Sequence, residues 1–332
     1  MPTTLLQFEQ ILTLAEGALR GCGVGAGNAA LVAHSIACAE RDGQAIVGLS
    51  YLPTYCDHAA CGKVDGHAQP TLNRRSAVAL HVDAAAGFAH PALALGLAPL
   101  ADAARAQGVA VLAVSNSYAC GSLGYFVEDL AARGLVALMA ANASPSIAPW
   151  GGKRPFFGTN PWSMAAPRRG DPLVIDASSS ATAYVNLAQA ARAGTPIPPH
   201  WALDAEGRPT TDAQAALAGS IAPAGGHKGS GLALMVEVLA AGLTGAHFSH
   251  QASSLGDDLG GPPRLGQTLI AIEPSGSGFA GRIEGLLADM TAEPGVRIPG
   301  DRRSANRRLT EAAGVTIDGD LMAQLRVLGG RL

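Results

Sequence analysis

A glycine-rich run at residues 223–231, Pro-Ala-Gly-Gly-His-Lys-Gly-Ser-Gly, contains the residue types that bind phosphate. Glycines let the backbone come close to a ligand, and the free N–H groups at the start of a helix favour an anion. Lys228 adds a positive charge, although the Walker pattern Gly-x4-Gly-Lys-[Ser/Thr] is absent. From these residues alone, a phosphate cradle and a glycine-rich turn with an exposed lysine fit equally well.

An arginine cluster at residues 299–303, Pro-Gly-Asp-Arg-Arg, is followed by Arg307 and Arg308. Clustered guanidinium groups after a Pro-Gly turn suit the forked binding of a phosphate. The simpler interpretation is a basic turn in solvent, and the cluster alone favours it.

Two polar turns offer smaller groups. Asp-Ala-Ser-Ser-Ser at residues 176–180 lies between a predicted strand and a predicted helix, where serines cap the helix or hold a ribose or phosphate. Capping is the simpler role. Phe-Gly-Thr-Asn-Pro at residues 157–161 presents a hydroxyl and an amide, but alone it predicts only a turn.

The elements that must position these residues alternate irregularly, so the sequence predicts a mixed α/β class with no internal repeat. Residues 141–161 form a long loop whose aromatic side chains predict that it packs into a site. Apolar spacing predicts helices at residues 8–22, 28–40, 91–107, 121–133, 181–193, 229–246, 281–290 and from 309 onward, and strands at 78–82, 109–114, 135–140, 173–176 and 268–272.

Composition excludes several classes of function. The 332 residues carry a net charge of −3 with no basic block, so we expect no nucleic-acid and no membrane partner. The first residues do not resemble a signal peptide, which indicates a cytoplasmic protein. The apolar stretch at residues 229–246 is interrupted by Glu237 and several glycines, and it is typical of a buried helix rather than a membrane span.

Five cysteines are present, an odd number that predicts reduced thiols rather than a disulfide framework. Cys56 and Cys61 flank His58 and raise the possibility of zinc. No second ligand pair occurs at a matching interval, so we predict no metal site.

Taken together in order and spacing, the motifs resemble those of the malate/L-lactate dehydrogenase family that lacks a Rossmann fold, and the similarity extends over nearly the whole chain. The segment Pro-Phe-Phe-Gly-Thr-Asn-Pro at residues 155–161 looks most like the Δ1-piperideine-2-carboxylate/Δ1-pyrroline-2-carboxylate reductases of that family. The matching stretches are residues 108–117, 148–152, 157–161, 207–212, 225–229 and 298–303.

The resemblance implies a non-Rossmann NAD(P)-binding fold with a largely antiparallel sheet and an N-terminal helical segment. It implies a helical segment over the cleft at residues 1–66, a central and dimerising part at 67–115 and 309–332, and a cofactor domain at 116–308. NADPH or NADH is the expected cofactor, and a homodimer is the expected assembly. Thr159 would contact the substrate, and the residues expected to hold the cofactor are Ser178, Ser179, Ser180, His227, Lys228, Gly229, Arg302, Arg303 and Arg307.

The sequence departs from the family where the resemblance places its catalytic groups. Ile46 and Val47 occupy the positions of the usual serine and histidine, and Tyr51 that of the arginine. Asn186 occupies the position of an aspartate, and Tyr118 and Ala119 occupy those of a histidine pair. The expected proton donor, its relay partners and the carboxylate-binding arginine are therefore all replaced.

Hydride transfer to a ketone builds negative charge on oxygen and requires a positioned acid. A cyclic imine can bind already protonated, and hydride addition then neutralises charge. The replacements therefore favour reduction of a cyclic imino acid, Δ1-pyrroline-2-carboxylate or Δ1-piperideine-2-carboxylate, over a 2-oxo acid. The alternatives are an inactive relative that binds the cofactor and a 2-hydroxy-acid dehydrogenase with relocated catalytic groups.

Replacement groups come from several places in the sequence. Tyr51 or Tyr118 could donate a hydrogen bond, and His58 lies close to the altered motif, although a surface histidine is the simpler interpretation. His227 could contact the nicotinamide or the substrate. The substrate carboxylate could be bound by Lys153, Arg154 or Arg192, which are otherwise ordinary solvated charges.

Overall fold

A computed structural model describes residues 3–329. Its centre is a sheet of seven strands, in the spatial order β2-β3-β4-β10-β5-β6-β7. The strands of the described chain are β1 Thr4–Leu6, β2 Thr71–Arg74, β3 Ala79–Asp83, β4 Val109–Ser117, β5 Val136–Ala141, β6 Trp162–Ala166, β7 Leu173–Ala177, β8 Ala202–Leu203, β9 Ser220–Ile221, β10 Leu265–Ile272 and β11 Val315–Ile317.

The helices surround this sheet. They are α1 Phe8–Gly21, α2 Ala26–Arg41, α3 Leu52–Ala60, α4 Ala89–Gln107, α5 Leu123–Ala132, α6 Tyr184–Ala193, α7 Ala213–Ala218, α8 His227–Val236, α9 Phe279–Thr291, α10 Asp301–Ala313 and α11 Gly319–Gly329. A π-helical turn, Glu237–Gly242, continues α8. No helix in the described part of the chain is long and apolar enough to cross a bilayer.

The sheet is largely antiparallel, as the family resemblance implied. Only the pair β3–β4 is parallel among the neighbouring strands of the seven-stranded sheet. This parallel pair is joined by α4, because a crossover between parallel strands needs a long connection. The mixed α/β class and the antiparallel sheet are therefore confirmed.

The two faces of the sheet carry different helices. Leu269 and Ala271 of β10 point into the core formed with α4 and α5. On the opposite face the π-helical turn lies directly against β10, where the Thr268 hydroxyl donates to the Leu239 carbonyl at 2.7 Å. A Cβ at Gly266 would lie only 1.8 Å from the Ala240 carbonyl oxygen, so this close approach requires glycine.

The chain ends meet beside the N-terminal helices. Strand β1 pairs with β11, and α11 packs against α1 and α3 in one apolar cluster. The prediction of a single helix from Leu309 onward is wrong, because the chain forms α10, then β11, then α11. Gly314, with φ 80° and ψ 179°, adopts a conformation that only glycine takes readily and so ends α10.

A buried histidine on α4 gives the fold a predicted acid sensitivity. His90 is 3% exposed, its Nδ1 has no partner within residues 3–329, and burial lowers its pKa to about 4. The neutral ring is favoured in the folded state, so the stabilisation is complete above the unfolded pKa of 6.5 and is lost as pH falls from 6.5 towards 4.

The His90→Phe variant should therefore show a flatter acid limb than the wild type. The expected difference in slope is about 1.4 kcal/mol of unfolding free energy per pH unit between pH 6.5 and 4, measured by urea unfolding. His200→Phe is the control, because His200 is exposed. Parallel curves for wild type and His90→Phe would show that His90 binds protons equally in both states.

Candidate active site

The ends of five neighbouring strands gather the predicted site residues at one edge of the sheet. The end of β4 pairs with the start of β10, and the start of β10 also pairs with the end of β5. The end of β5 pairs in turn with the start of β6, and the start of β6 pairs with the end of β7. Tyr118 follows β4, Thr159 precedes β6 and Ser178 follows β7. The edge from β4 to β7 spans four strand spacings, or about 19 Å.

Backbone hydrogen bonds join the three loops predicted to bind ligands. Ser179 donates its N–H to the Thr159 carbonyl at 2.9 Å and its hydroxyl to the Asn160 carbonyl at 2.8 Å. The Ala224 N–H donates in turn to the Ser179 carbonyl at 2.9 Å. The Gly-Thr-Asn-Pro turn, the serine turn and the glycine-rich run therefore form one braced unit.

The serine turn also has the local bonds of a capping motif. The Ser180 N–H donates to the Ser178 hydroxyl, the two hydroxyls are bonded to each other, and the Ser180 hydroxyl donates to the Thr182 carbonyl. Ser179 and Ser180 are buried, whereas Ser178 is exposed. Of the three serines, Ser178 is the one with surface to offer a ligand.

The start of α8 fits an anionic ligand. Gly226 precedes the helix with φ 70° and ψ −127°, and the exposed His227 and Lys228 form its first turn. The first N–H groups of a helix have no partner within it, and they attract a phosphate. The Trp150 ring lies 6.1 Å from that of His227 and forms a wall beside them.

Gly229 has a packing role. A Cβ there would lie 2.1 Å from the Ala224 carbonyl oxygen, so the helix can approach the preceding loop only with glycine at this position. The predicted contact of Gly229 with a cofactor stays a prediction.

The two arginines of the turn at residues 299–303 differ, because one guanidinium group is exposed and the other lies beside carboxylates. Arg302 is exposed on the first turn of α10. Arg303 lies 3.9 Å from carboxylate oxygens of both Glu128 and Asp176, and its buried Nη2 has no hydrogen-bond partner within the described chain. An unused buried donor fits a phosphate oxygen, which is the observation here that supports cofactor binding.

Arg307 forms a four-bond clamp. Its guanidinium donates to both oxygens of Asp42 at 2.9 and 2.6 Å and to both oxygens of Glu128 at 2.8 and 2.9 Å. These bonds tie α10 to α2 and α5. The predicted contact of Arg307 with the cofactor is not tested by this geometry, but most of its donors serve the fold.

The three candidate catalytic side chains form one hydrogen-bonded chain. The Tyr51 and Tyr118 hydroxyls are bonded to each other, and the Tyr118 hydroxyl lies 2.5 Å from His58 Nδ1. His58 Nε2 lies 2.9 Å from the Asp257 carbonyl oxygen. Tyr118 is 0% and His58 3% exposed, so His58 is not the surface residue that its sequence context favoured.

The direction of the bonds follows from the acceptor at one end. A carbonyl oxygen only accepts, so His58 carries its proton on Nε2 and its Nδ1 accepts from Tyr118. The Tyr118 oxygen then accepts from Tyr51, whose half-buried side chain is the end of the chain nearest solvent. Burial raises the pKa of both tyrosines and, with Lys63, lowers the pKa of His58, so all three groups are neutral at pH 7.

A buried lysine lies next to the hydrogen-bonded side chains of Tyr51, Tyr118 and His58 and connects them to the loop before β10. The Lys63 ammonium donates to the Asp257 carbonyl at 2.6 Å and to the Leu259 carbonyl at 2.5 Å, and it lies 3.5 Å from the Asp257 carboxylate. Its side chain is 0% exposed. Sequence reasoning missed Lys63, because nothing near it in the sequence indicates that its partners lie almost 200 residues away.

Three of the positions where the family resemblance placed catalytic groups, Ile46, Val47 and Asn186, have no acidic side chain in the structure. Ile46 is 42% exposed and Val47 is half-buried, and both belong to a short helical turn before α3. The Asn186 amide donates to the Thr182 hydroxyl at 3.0 Å. Neither an isoleucine, a valine nor a primary amide can supply a proton to a substrate at neutral pH.

Glu237 and Ser249 are buried polar residues that the motifs did not point to. The Glu237 carboxylate accepts from the Asn160 amide at 2.8 Å and from the Ser249 N–H at 3.1 Å. Glu237 is the single charged residue within the apolar stretch at residues 229–246, which was the only signal in the sequence. The sequence did not indicate that its carboxylate would bond to Asn160 and Ser249.

Cys56, His58 and Cys61 lie on or directly after α3, and both ring nitrogens of His58 have partners. Within residues 3–329, no group of three or more histidine, cysteine, aspartate or glutamate side chains is arranged to hold a metal ion.

Comparisons with known proteins match almost the whole chain. Residues 6–326 match the malate/L-lactate dehydrogenase family. The chain is 47% identical over 307 residues to the (2R)-3-sulfolactate dehydrogenase (NADP(+)) of Chromohalobacter salexigens, covering 92% of each chain. It is 40% identical to the Delta(1)-pyrroline-2-carboxylate/Delta(1)-piperideine-2-carboxylate reductase of Pseudomonas putida, over 97% of this chain and 96% of that protein. The crystal structure of delta1-piperideine-2-carboxylate reductase from Pseudomonas syringae pvar. tomato superimposes with a TM-score of 0.94 at 38% identity, covering 98% of this chain and all of that one.

Proposed function

The chain belongs to the malate/L-lactate dehydrogenase family and is an oxidoreductase, and from this premise we propose that it reduces a cyclic imino acid with NADPH. The proposed substrates are Δ1-pyrroline-2-carboxylate and Δ1-piperideine-2-carboxylate, and the products are L-proline and L-pipecolate. The observation that carries the proposal is the apolar pair Ile46 and Val47 where the family resemblance places the proton donor.

The chemistry of an iminium substrate suits a site without that donor. The bound reduced nicotinamide would supply a hydride to the imine carbon, and the electron pair of the C=N bond would move to nitrogen. Nitrogen already carries its proton, so a neutral amine forms and no acid acts in this step. The protein then contributes position and exclusion of water.

The braced loops provide that position. We assign the contact with the substrate to Thr159, and the contacts with the phosphates and ribose to Ser178, His227, Lys228 and the Arg302–Arg303 turn, with Ser179, Ser180, Gly229 and Arg307 behind them. NADPH is preferred over NADH in this proposal, because the exposed cations Lys228 and Arg302 suit an extra phosphate. Tyr51, Tyr118 and His58 remain the candidates for any group that moves a proton.

A second function, oxidoreduction of a 2-hydroxy acid, is favoured by the hydrogen-bonded chain from Tyr51 to His58. The neutral His58 can accept a proton through Tyr118 and Tyr51 when a hydroxy acid is oxidised, and it can return that proton when an oxo acid is reduced. A relative named (2R)-3-sulfolactate dehydrogenase, 47% identical, is consistent with this alternative.

Steady-state oxidation of NADPH and NADH distinguishes the two functions. We expect kcat/KM for the cyclic imino acids to exceed that for pyruvate, oxaloacetate and sulfopyruvate by about 10²-fold or more, because only the oxo acids need a proton in the hydride step. Faster reduction of any of these oxo acids would exclude the first proposal in favour of the second. Cofactor binding without turnover of either class would indicate an inactive relative.

The assembly and location belong to the same proposal. Large apolar side chains are exposed on the outer side of α8 and its π-helical turn. We propose that a second copy of the chain covers them in a homodimer. Sedimentation equilibrium would measure the mass of that dimer. No disulfide joins the five cysteines, and we propose a cytoplasmic location. The exposed residues of α8, its π-helical turn and the position directly after it are Leu234 at 53%, Met235 at 48%, Val238 at 57% and Leu243 at 58%, and Leu138 on β5 is 39% exposed.

The division of the chain is proposed as the resemblance implied it. Residues 1–66 would cover the cleft, 116–308 would bind the cofactor, and 67–115 with 309–332 would form the central part, to which the resemblance also assigned dimerisation. The exposed apolar surface proposed above for the second copy belongs instead to the range 116–308. The structure adds that β11 and α11 pack on the N-terminal helices rather than on the sheet. Residues 1–2 and 330–332 lie outside the described chain.

A further inference from the structure

The turn that would contact the substrate contains a buried asparagine in the left-handed region of backbone conformation. Asn160 has φ 41°, in the left-handed region, and is 0% exposed. This region is uncommon for residues other than glycine, and asparagine adopts it more readily than most, so the surrounding contacts decide how firmly the turn is held. Gly158, two residues earlier, has no room for a Cβ, which would lie 2.4 Å from the Ala143 carbonyl oxygen.

The contacts that determine the turn converge on the Asn160 amide. Its Nδ2 donates to the Glu237 carboxylate at 2.8 Å and to the Ala233 carbonyl at 2.9 Å. Its Oδ1 accepts from the Ser249 hydroxyl at 3.2 Å. Both ends of the amide are therefore fixed by side chains and backbone that belong to α8 and the segment after it.

Glu237 is the only charged group in these contacts, and it is 4% exposed. Its second oxygen accepts from the Ser249 N–H at 3.1 Å, so the carboxylate joins Asn160 and Ser249 through two neutral donors. Hydrogen bonds to a charged acceptor are about twice as strong as neutral ones, and leaving one partner unpaired is costly in a buried site. Glu237 also begins the π-helical turn, a type of irregularity often found at functional sites.

The effect of this carboxylate extends to the cofactor loops. Asn160 follows Thr159 directly, and the carbonyls of both residues accept bonds from Ser179. Ser179 accepts in turn from Ala224, three residues before His227. A shift of Asn160 would therefore move the substrate turn, the serine turn and the approach to α8 together.

We propose that Glu237 is a positioning residue, which acts through Asn160 to hold Thr159 and the serine turn in register with the start of α8. This inference rests on the proposed function, since it assigns a role in placing the substrate and cofactor. Glu237 itself touches neither.

The test uses substitutions that alter the pair without changing its size. In Glu237→Gln, an amide donor must face either the Asn160 donor or the Ser249 N–H. In Asn160→Asp, two carboxylates face each other. The double variant, which combines the two substitutions, restores a bond with reversed direction, from the introduced amide to the introduced carboxylate. It shares with Asn160→Asp one unfavourable contact, a carboxylate oxygen facing the Ala233 carbonyl oxygen in place of the amide donor. Glu284→Gln on α9 is the matched control, because that half-buried carboxylate accepts from the Arg169 N–H away from this cluster.

We expect Glu237→Gln to lower kcat/KM by about 10–100-fold, because small displacements of reacting groups have effects of this size. The primary isotope effect with NADPH deuterated at the transferred position should rise, since misplacement slows the hydride step itself. The double variant should recover at least about tenfold over Asn160→Asp. Variants that lower Tm but leave kcat/KM and the isotope effect unchanged, or a double variant whose losses are additive, would overturn the inference.

A failure of the proposed function would be seen in the wild type. If the wild type reduces neither imino acids nor oxo acids, the same variants are measured by NADPH binding through its fluorescence. Weakening by about tenfold in Glu237→Gln, with Glu284→Gln unchanged, would then support the positioning role. Unchanged affinity would overturn it.

Discussion

Replacing Tyr118 by phenylalanine is expected to lower turnover of any 2-oxo or 2-hydroxy acid by about 10²–10⁴-fold, while reduction of a cyclic imino acid changes by no more than about fivefold. The hydroxyl of Tyr118 is the middle member of the chain from Tyr51 to His58. Its removal breaks the path of the proton, which only the first class of reaction requires.

The matched control is Tyr125→Phe. Tyr125 also bonds a histidine through its hydroxyl, at 2.9 Å from His34 Nδ1, but this pair lies between α5 and α2. Tyr118→Phe should lose about 1–3 kcal/mol of stability by thermal unfolding, because it leaves the buried Nδ1 of His58 without its partner. Tyr125→Phe should lose less, because His34 is exposed and its Nδ1 also lies 3.7 Å from the Cys38 sulfur. Equal losses for both substrate classes in Tyr118→Phe would contradict the proton path, since a purely structural role affects the two alike.

The Arg307→Met variant is expected to lose about 3–5 kcal/mol of unfolding free energy. Asp42 and Glu128 have side chains only 7% and 16% exposed, and each accepts two bonds from Arg307. Arg41 at 2.9 Å from Asp42 and Arg303 at 3.9 Å from Glu128 are the cations that would remain beside them. Removal of the cation leaves two carboxylates facing each other with little solvent. Urea unfolding at pH 7 measures the loss.

Arg208→Met provides the comparison, because Arg208 is 71% exposed and pairs with Asp204 and Glu206 at the surface. Its loss should stay within about 0.5 kcal/mol. If Arg307→Met instead kept its stability and lost affinity for NADPH, the clamp would be secondary and the role expected from the sequence would be the main one.

Much of the sheet could be predicted because its strands are short apolar runs bounded by turn residues. The predicted segments 109–114, 135–140 and 173–176 coincide with observed strands to within one residue at their starts. The β1–β11 pair and the break between α10 and α11 were missed, because strands of three residues carry too little pattern to detect and their pairing joins opposite ends of the chain.

The site could be predicted as a set of loops but not as a network. The order of the motifs indicated Thr159, the serine turn and the glycine-rich run, and the structure joins these loops by backbone bonds. Three bonds of the network join residues between 77 and 265 positions apart in the sequence. They are the bonds of Glu237 with Asn160, of Arg307 with Asp42 and of Lys63 with Asp257. Local spacing contains no information about such pairs, because they depend on the finished fold.

The buried ammonium of Lys63 limits how the enzyme can open. Three oxygens of residues 257–259 surround it. Separating the N-terminal helices from the loop before β10 would therefore remove the Lys63 ammonium from all three of its acceptors. A wide hinge movement is therefore disfavoured at every turnover. Reactants would have to enter and leave through local displacement of exposed segments such as that around Trp150, with the two parts of the molecule remaining fastened together.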